Sequence, residues 1–203
     1  MKELVLSNGN ALVVVAHPDD ETIWMGGTIA KFKNVAWTIF ALCRKSDRDR
    51  MPKFIRVARH YKAKGIICDL EDEDRMTVKE SVPVIKRMID LELPGKTFDY
   101  IFTHGSKGEY GHPRHIGVHL AVTELVQKKK LTCQQFYYFA YKANARKRIF
   151  NDSGARVATS LTTTQLIVKR DIIKNLYGFS PRSFENMSCL ARETFTVSST
   201  GNL

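Results

Sequence analysis

Six consecutive apolar residues, Ala11-Leu12-Val13-Val14-Val15-Ala16, constrain this chain more than any other feature. Successive strand side chains point to opposite faces, so a strand with one wet face alternates apolar and polar residues. A Val-rich run without a polar member reads as a strand covered on both faces. Further segments follow in alternation. Gly26-Gly27 leads into a short helical stretch to about Lys33, and Val35–Leu42 reads as a second strand. Asp49–Lys64 reads as a basic helix closed by Gly65, in a position that helix ends favour. Ile66–Cys68 is a short third strand, and Val78–Leu93 suits a helix with Pro83 in its first turns and Pro94-Gly95 as its stop. Tyr100–Thr103, Pro113–Lys130 and Phe136–Tyr141 continue as strand, helix and strand. Strands alternating with helices predict an α/β chain: a three-layer, Rossmann-like fold, its sheet mostly parallel, with helices on both faces.

Length and composition add bounds. The 203 residues suit one domain spanning 1–203, with 142–203 as an irregular C-terminal part that completes the cleft. In that part Asn144–Arg148 is basic, Ser160–Thr164 is hydroxyl-rich and strand-like, and Gln165–Tyr177 suits a helix broken by Gly178-Phe179-Ser180-Pro181. The sequence holds no apolar run long enough to span a bilayer and no signal-peptide pattern, which predicts a cytoplasmic protein without a transmembrane segment. Cys43, Cys68, Cys133 and Cys189 lack paired spacing, which excludes a CxxC knuckle and argues against a disulfide framework. The net charge of +11 favours anionic partners. Nucleic acid is not among those expected. The basic stretch 44–64 holds only Phe54 and Tyr61 as aromatics, and no recognition motif is present.

Two polar segments carry the chemistry, each directly after a predicted strand. His17-Pro18-Asp19-Asp20-Glu21 packs one imidazole and three carboxylates into five residues. Such crowding of like charge calls for a cation. An imidazole and a carboxylate are common zinc donors, and a free carboxylate beside them has the placement of a general base. Gly111-His112-Pro113-Arg114-His115 puts two imidazoles three residues apart at a helix start, able to face one side. A catalytic zinc site takes three protein ligands and leaves one position open. His17, Asp20 and either His112 or His115 complete that set, and the remaining histidine can polarise or protonate a reacting group. A lone HxxH arises by chance and Asp pairs cap helices, so the weight rests on both segments lying at one sheet edge, where ligands bind in such folds.

AHPDDE at 16–21 followed by GHPRH at 111–115 resembles the PIG-L/LmbE-type zinc de-N-acetylases, a family that includes N-acetylglucosaminyl-phosphatidylinositol deacetylases. The resemblance covers roughly residues 10–140. It implies that His17, Asp20 and His115 hold one Zn2+ per chain, that Asp19 is the general base, and that His112 stabilises the oxyanion or protonates the leaving amine. The implied reaction hydrolyses the acetamide of an N-acetylglucosamine-type conjugate. Two departures stand out: Arg114 replaces an acidic or small residue, and the stretch 56–62 has no acid near its middle.

Around this set, Arg44 and His104 are candidate substrate-binding residues, since both follow strands at the same edge. His119 is expected to make a helical contact, His60 to face solvent, and Glu21 to orient its loop. The substrate expected is a small N-acetyl sugar conjugate, and the basic balance admits an anionic one; a homo-oligomer is equally admissible. A metal-dependent phosphoesterase, which needs a second metal and more ligands, is the alternative, with a basic nucleic-acid-binding protein behind it.

Overall fold

The computed structural model describes residues 1–73, 75–93 and 95–198; Asp74, in the acidic run Glu71-Asp72-Glu73-Asp74, and Pro94, the expected helix stop, lie outside the described residues. The strands are β1 (Lys2–Glu3), β2 (Gly9–Val15), β3 (Val35–Cys43), β4 (Lys64–Leu70), β5 (Thr97–Thr103), β6 (Thr132–Phe139), β7 (Tyr141–Ala143), β8 (Ile149–Asn151), β9 (Val157–Ser160) and β10 (Arg192–Val197). The helices are α1 (Asp20–Lys31), α2 (Arg50–His60), α3 (Val78–Glu92), the single turn α4 (Gly108–Gly111), α5 (Pro113–Gln127), α6 (Thr163–Asp171) and the short α7 (Phe184–Met187). Eight strands form one sheet in the order β1-β9-β10-β6-β5-β2-β3-β4, and β7 and β8 form a separate ribbon.

The apolar run lies in β2 and the residue after it, and its two faces feed two cores. Ala11, Val13 and Val15 point into one, while Leu12, Val14 and Ala16 point into the other. All six are fully buried, which stabilises the fold by roughly 1.5–3 kcal/mol for each Val or Leu. The first core is closed by α1, α2 and the C-terminal helices, through Trp24, Phe54, Val57 and Ile173. The second is closed by α3 and α5, through Ile85, Ile89, Val118 and Val122. The result is the expected three-layer α/β fold. β2, β3, β4, β5 and β6 are mutually parallel, and β10 alone runs antiparallel to its neighbours β6 and β9.

The chain moves outward from β2 to β3 and β4, then returns to place β5 on the other side of β2. Strand order therefore reverses between β2 and β5. Loops leaving adjacent strands at such a switch diverge to opposite faces and open a crevice at the carboxyl edge. Both motif segments leave from these two strands.

Local expectations need several corrections. Gly26-Gly27 lies inside α1, which starts at Asp20 and bends at Met25 (φ −152°, ψ 19°). The bend leaves the N–H groups of Gly27 and Thr28 to a side chain, the carboxylate of Glu193, at 2.8 and 2.6 Å. Gly65 does not cap α2. That helix stops at His60, Lys62 takes the left-handed position (φ 55°), and Gly65 lies in β4, where a Cβ would come 2.9 Å from the Ala58 Cβ. Of Ser160–Thr164 only Ser160 is in a strand, as the last residue of β9, because Thr162 and Gln165 form a capping box that starts α6. The expected helix 165–177 divides into α6 and a π-helical turn, Ile172–Leu176, before Gly178 at φ 83°. The part from 142 onward is not irregular: β9 and β10 extend the main sheet. All four cysteines are buried free thiols, and no helix among the described residues is long and apolar enough to cross a membrane.

One buried ion pair fastens this C-terminal extension to α1. Lys169 Nζ lies 2.7 Å from Glu193 Oε1, and Glu193 Oε2 also accepts from the Thr28 hydroxyl at 2.6 Å. Both side chains are almost wholly buried. Replacing Glu193 by Gln strands the ammonium in the core, so Glu193→Gln should lower unfolding free energy by about 3–5 kcal/mol. Guanidinium denaturation followed by tryptophan fluorescence measures this, and an unshifted midpoint would contradict the clamp.

Candidate metal centre and active site

The loop after β2 is built around a strained residue. Asp19 has φ 113°, a region L-residues avoid. Three groups hold it there. Its N–H donates to Glu21 Oε2 at 3.1 Å, Glu21 Oε1 is fixed by the Tyr177 hydroxyl at 2.8 Å, and Arg50 Nη1 reaches Asp19 Oδ2 at 2.7 Å. Asp20 is pinned at both oxygens. Oδ1 accepts from Trp24 Nε1 at 2.8 Å, and Oδ2 accepts from the His17 N–H at 2.8 Å.

Asp20 Oδ2 is also one corner of a triangle. It lies 3.3 Å from His17 Nδ1 and 3.3 Å from His115 Nε2, and the two nitrogens are 3.3 Å apart. A tetrahedral zinc ion with ligand bonds of about 2.0–2.1 Å has neighbouring donors about 3.3–3.4 Å apart. The three donors thus fit such an ion, and the set of two imidazoles and one carboxylate is of the kind zinc takes. Residues 98 apart in sequence supply it.

Each imidazole of the triangle is held from behind by a carboxylate. Asp72 Oδ1 lies 2.9 Å from His17 Nε2, and Asp72 Oδ2 accepts from Arg44 Nη2 at 2.7 Å. Burial opposes ionisation of Asp72, but His17 and Arg44 outweigh it and lower its pKa to about 2. Glu109 Oε2 lies 2.7 Å from His115 Nδ1 and 2.7 Å from His104 Nδ1. Burial likewise opposes the Glu109 charge, yet the two imidazoles bring its pKa down to about 2. Such outer carboxylates orient metal-binding histidines and raise their basicity.

His104 requires a correction. It ends β5 as expected but is fully buried, stacked on the His115 ring at 3.9 Å, and does not line the cavity. It touches protein on both nitrogens: Nδ1 faces Glu109, and Nε2 accepts the Ala16 N–H at 3.0 Å. Burial works against a charge on His104, but Glu109 and Asp20 push its pKa up to about 9. The Ala16 amide argues for the neutral ring, because a backbone N–H can only donate and needs the Nε2 lone pair. That 3.0 Å contact outranks the 3.5 Å separation from Asp20 Oδ2.

His17, Asp19, Asp20, Arg44 and His112 do come together, around one cavity of ≈ 190 Å³. His115 is buried behind His17, 3.3 Å from its ring nitrogen, and Pro18, Ile23, Trp24, Arg50, Asp72, Tyr110, Phe184 and Glu185 complete the lining. Burial, and then the negative charge of Asp20, raise the Asp19 carboxyl to about 8, while Arg50 pulls the other way. Burial and the neighbouring imidazoles lower His112 to about 3, so its ring is neutral. Its Nδ1 accepts the Arg114 N–H at 3.2 Å, which leaves the proton on Nε2. Cys43 also approaches His17 and Asp72, but burial keeps its thiol well above the usual range and therefore protonated.

Arg114 points away from the triangle, to Glu71 Oε2 at 2.9 Å and the Met76 carbonyl at 2.6 Å. It thereby ties the helix α5 to the acidic loop that carries Asp72. His119 donates Nδ1–H to the His104 carbonyl at 2.9 Å, and His60 lies against Tyr61 away from the site. Sequence reasoning passed over Glu109, Asp72 and Arg50. Glu109 carried a faint signal, an acid between glycines in Gly108-Glu109-Tyr110-Gly111.

The family model for PIG-L, described as GlcNAc-PI de-N-acetylase, matches residues 12–126. The uncharacterized protein L374 of Acanthamoeba polyphaga mimivirus is 25% identical over 120 residues, covering 51% of this chain and 52% of that protein. The chain therefore spans about half the length of the curated relative it matches. N,N'-diacetylchitobiose deacetylase from Pyrococcus horikoshii shares the fold at a TM-score of 0.68 and 14% identity, over 94% of this chain and 84% of that one. So does GalB, the 4-carboxy-2-hydroxymuconate hydratase of Pseudomonas putida KT2440, at a TM-score of 0.64 and 14% identity, over 93% and 95%. These two likenesses are of fold alone, and the two enzymes differ in reaction. The family match is of another kind, since it spans more than half of the sequence and takes in both motif loops: this chain belongs to the PIG-L family.

Proposed function

We propose that the chain is a zinc-dependent N-deacetylase that hydrolyses the acetamide of an N-acetylglucosamine-type sugar conjugate to acetate and a free amine. The observation that carries this reading is the 3.3 Å triangle of His17 Nδ1, Asp20 Oδ2 and His115 Nε2 at the crevice of a PIG-L family member. These three residues would hold one zinc ion per chain. When bound, zinc supplies Lewis acidity, acidifying water towards a pKa of about 7 and polarising the acetamide carbonyl.

The chain's own groups do the rest. The Asp19 carboxylate takes a proton from water as its oxygen bonds to the carbonyl carbon. The same proton then passes to the nitrogen as the carbon–nitrogen bond breaks, releasing acetate and amine. His112 is neutral and presents Nε2–H, so it acts as a hydrogen-bond donor to the developing oxyanion rather than as an acid. Arg44 stands at the rim, braced by Asp72, where it favours a substrate with an anionic substituent. The small cavity suits one sugar residue at the reacting end, with the remainder of the conjugate outside.

A two-metal phosphoesterase would need a second ligand set about 3.5–4 Å from the first ion. Among the described residues, the other donor clusters reuse His17, Asp20 or His115. One zinc per chain by elemental analysis is therefore expected, and two would favour the phosphoesterase. A fluorescamine screen for amine released from N-acetyl sugars, with and without a chelator, tests the reaction itself. Release should cease on chelation and return with zinc; release that survives complete metal removal would refute the proposal.

Two variants separate the roles. Asp19→Asn should retain zinc while kcat/KM falls by about 10²–10⁴-fold, and undiminished turnover would remove Asp19 as the base. Arg50→Ala tests the tuning of that base. Arg50 lowers the Asp19 pKa, so its removal raises that pKa and requires a higher pH to free the carboxylate. The acidic limb of the kcat/KM profile should move to higher pH, and a limb that stays or moves down would contradict the pairing.

A further inference from the structure

We infer that Glu109 is a positioning residue that fixes the ring protons of two buried histidines and so keeps the Nε2 lone pair of His115 turned toward Asp20 and His17. The inference rests on the proposed metal centre and assigns it an internal support that includes no metal ligand. The Ala16 N–H donates to His104 Nε2 at 3.0 Å, so that nitrogen carries a lone pair. The neutral His104 ring must then carry its proton on Nδ1, which donates to Glu109 Oε2 at 2.7 Å. The same oxygen lies 2.7 Å from His115 Nδ1 and, being a carboxylate oxygen, can only accept there. His115 is thereby the Nδ1–H tautomer, and its Nε2 is bare at 3.3 Å from both Asp20 Oδ2 and His17 Nδ1.

The placement of Glu109 is costly, which argues against an incidental contact. Its backbone sits at φ 55° and ψ −56°, a conformation that L-residues seldom adopt, at a cost on the order of 1–3 kcal/mol. Its second oxygen is held by the Gly105 N–H at 2.8 Å, so the carboxylate cannot rotate away. Stacking of His104 on His115, at 3.9 Å and 21° between planes, holds the second ring in the same orientation.

Glutamine at this position would keep one acceptor for Gly105 and turn an NH2 group toward both ring nitrogens. Two N–H groups cannot face an N–H donor. His115 would then move its proton to Nε2, into the corner of the triangle. The full chain is tested with zinc alone, by competition against a chromophoric chelator. Glu109→Gln should weaken zinc binding about 10–100-fold, and Glu109→Asp, which keeps the charge, should recover part of the loss. Thermal midpoints of the zinc-free proteins separate this from a folding defect. Long-range ¹H–¹⁵N spectra of the zinc-loaded wild type should show His115 protonated on Nδ1. They decide the matter even if the variants do not fold. Zinc affinity unchanged in Glu109→Gln, or a His115 ring without the Nδ1 proton, overturns the inference and leaves the deacetylase reading standing. A wild-type chain that binds no zinc overturns both.

Discussion

Val14 of β2 lies opposite Thr103 of β5, and the carboxyl edge of the sheet is arranged by that register. The pairing continues past the regular ladder: the Thr103 hydroxyl donates to the Val14 carbonyl at 2.9 Å, and the Ala16 amide donates to the His104 ring. Two loops far apart in sequence are thereby locked side by side. A slip of one residue would turn β5's inward side chains to the opposite core and carry His104 out of reach of Ala16. The donor triangle depends on this pairing, because one loop supplies two corners and the other supplies the third.

A second constraint is electrostatic. The surface is basic, yet the crevice encloses Asp19, Asp20, Glu21 and Glu109, all buried. Their neighbours set each one to a different state. Glu109 stays ionised between two imidazoles, whereas burial, helped by the nearby Asp20 charge, pushes Glu21 up to about 7 against the pull of the hydroxyls and amide that hold it. Asp19 is raised further still, with Arg50 as its counterweight. Carboxyl groups only a few residues apart thus acquire distinct proton affinities, which is the condition for assigning them distinct roles. The net charge of +11 describes the exterior and says little about what the cleft binds.

What the sequence made legible was contiguous. The doubly buried strand could be read because six neighbouring residues carry its pattern, and the two motif segments because their donors are adjacent. Asp72 was not readable. It lies in what looks like a solvated acidic loop, and two arginines hold that loop under His17: the buried Arg114, gripping Glu71 and the Met76 carbonyl, and Arg44, donating to Asp72 itself. Arg50 was hidden in a helix whose basic residues all look alike; the first of them reaches the Pro18 carbonyl and the Asp19 carboxylate in the loop after β2. Gly65 misled because a glycine that fits between strand and helix has the same letter as one that ends a helix. His104 misled for a related reason. Its place at a strand end is where ligands bind, but a ring that accepts a backbone amide and donates to a buried carboxylate has no atom left for a substrate.

The two loops also share a device that bears on reactivity. Each places a non-glycine residue at positive φ beside a histidine of the triangle: Asp19 after His17, and Glu109 before His115. Both are carboxylates held by polar partners rather than by packing alone: Asp19 by Arg50, and Glu109 by the Gly105 amide and two imidazoles. Strain of this kind persists only where surrounding contacts fix it, and it leaves little freedom for the site to rearrange when substrate arrives. That rigidity matters because the fold itself does not specify the reaction: a deacetylase and a hydratase share its outline with this chain. Both reactions add water to an unsaturated carbon. Whether a carbon–nitrogen bond then breaks depends on where a proton can be delivered, and the proposed general base, Asp19, is set by its backbone and by Arg50 in the lining of the same cavity as His17 and Asp20.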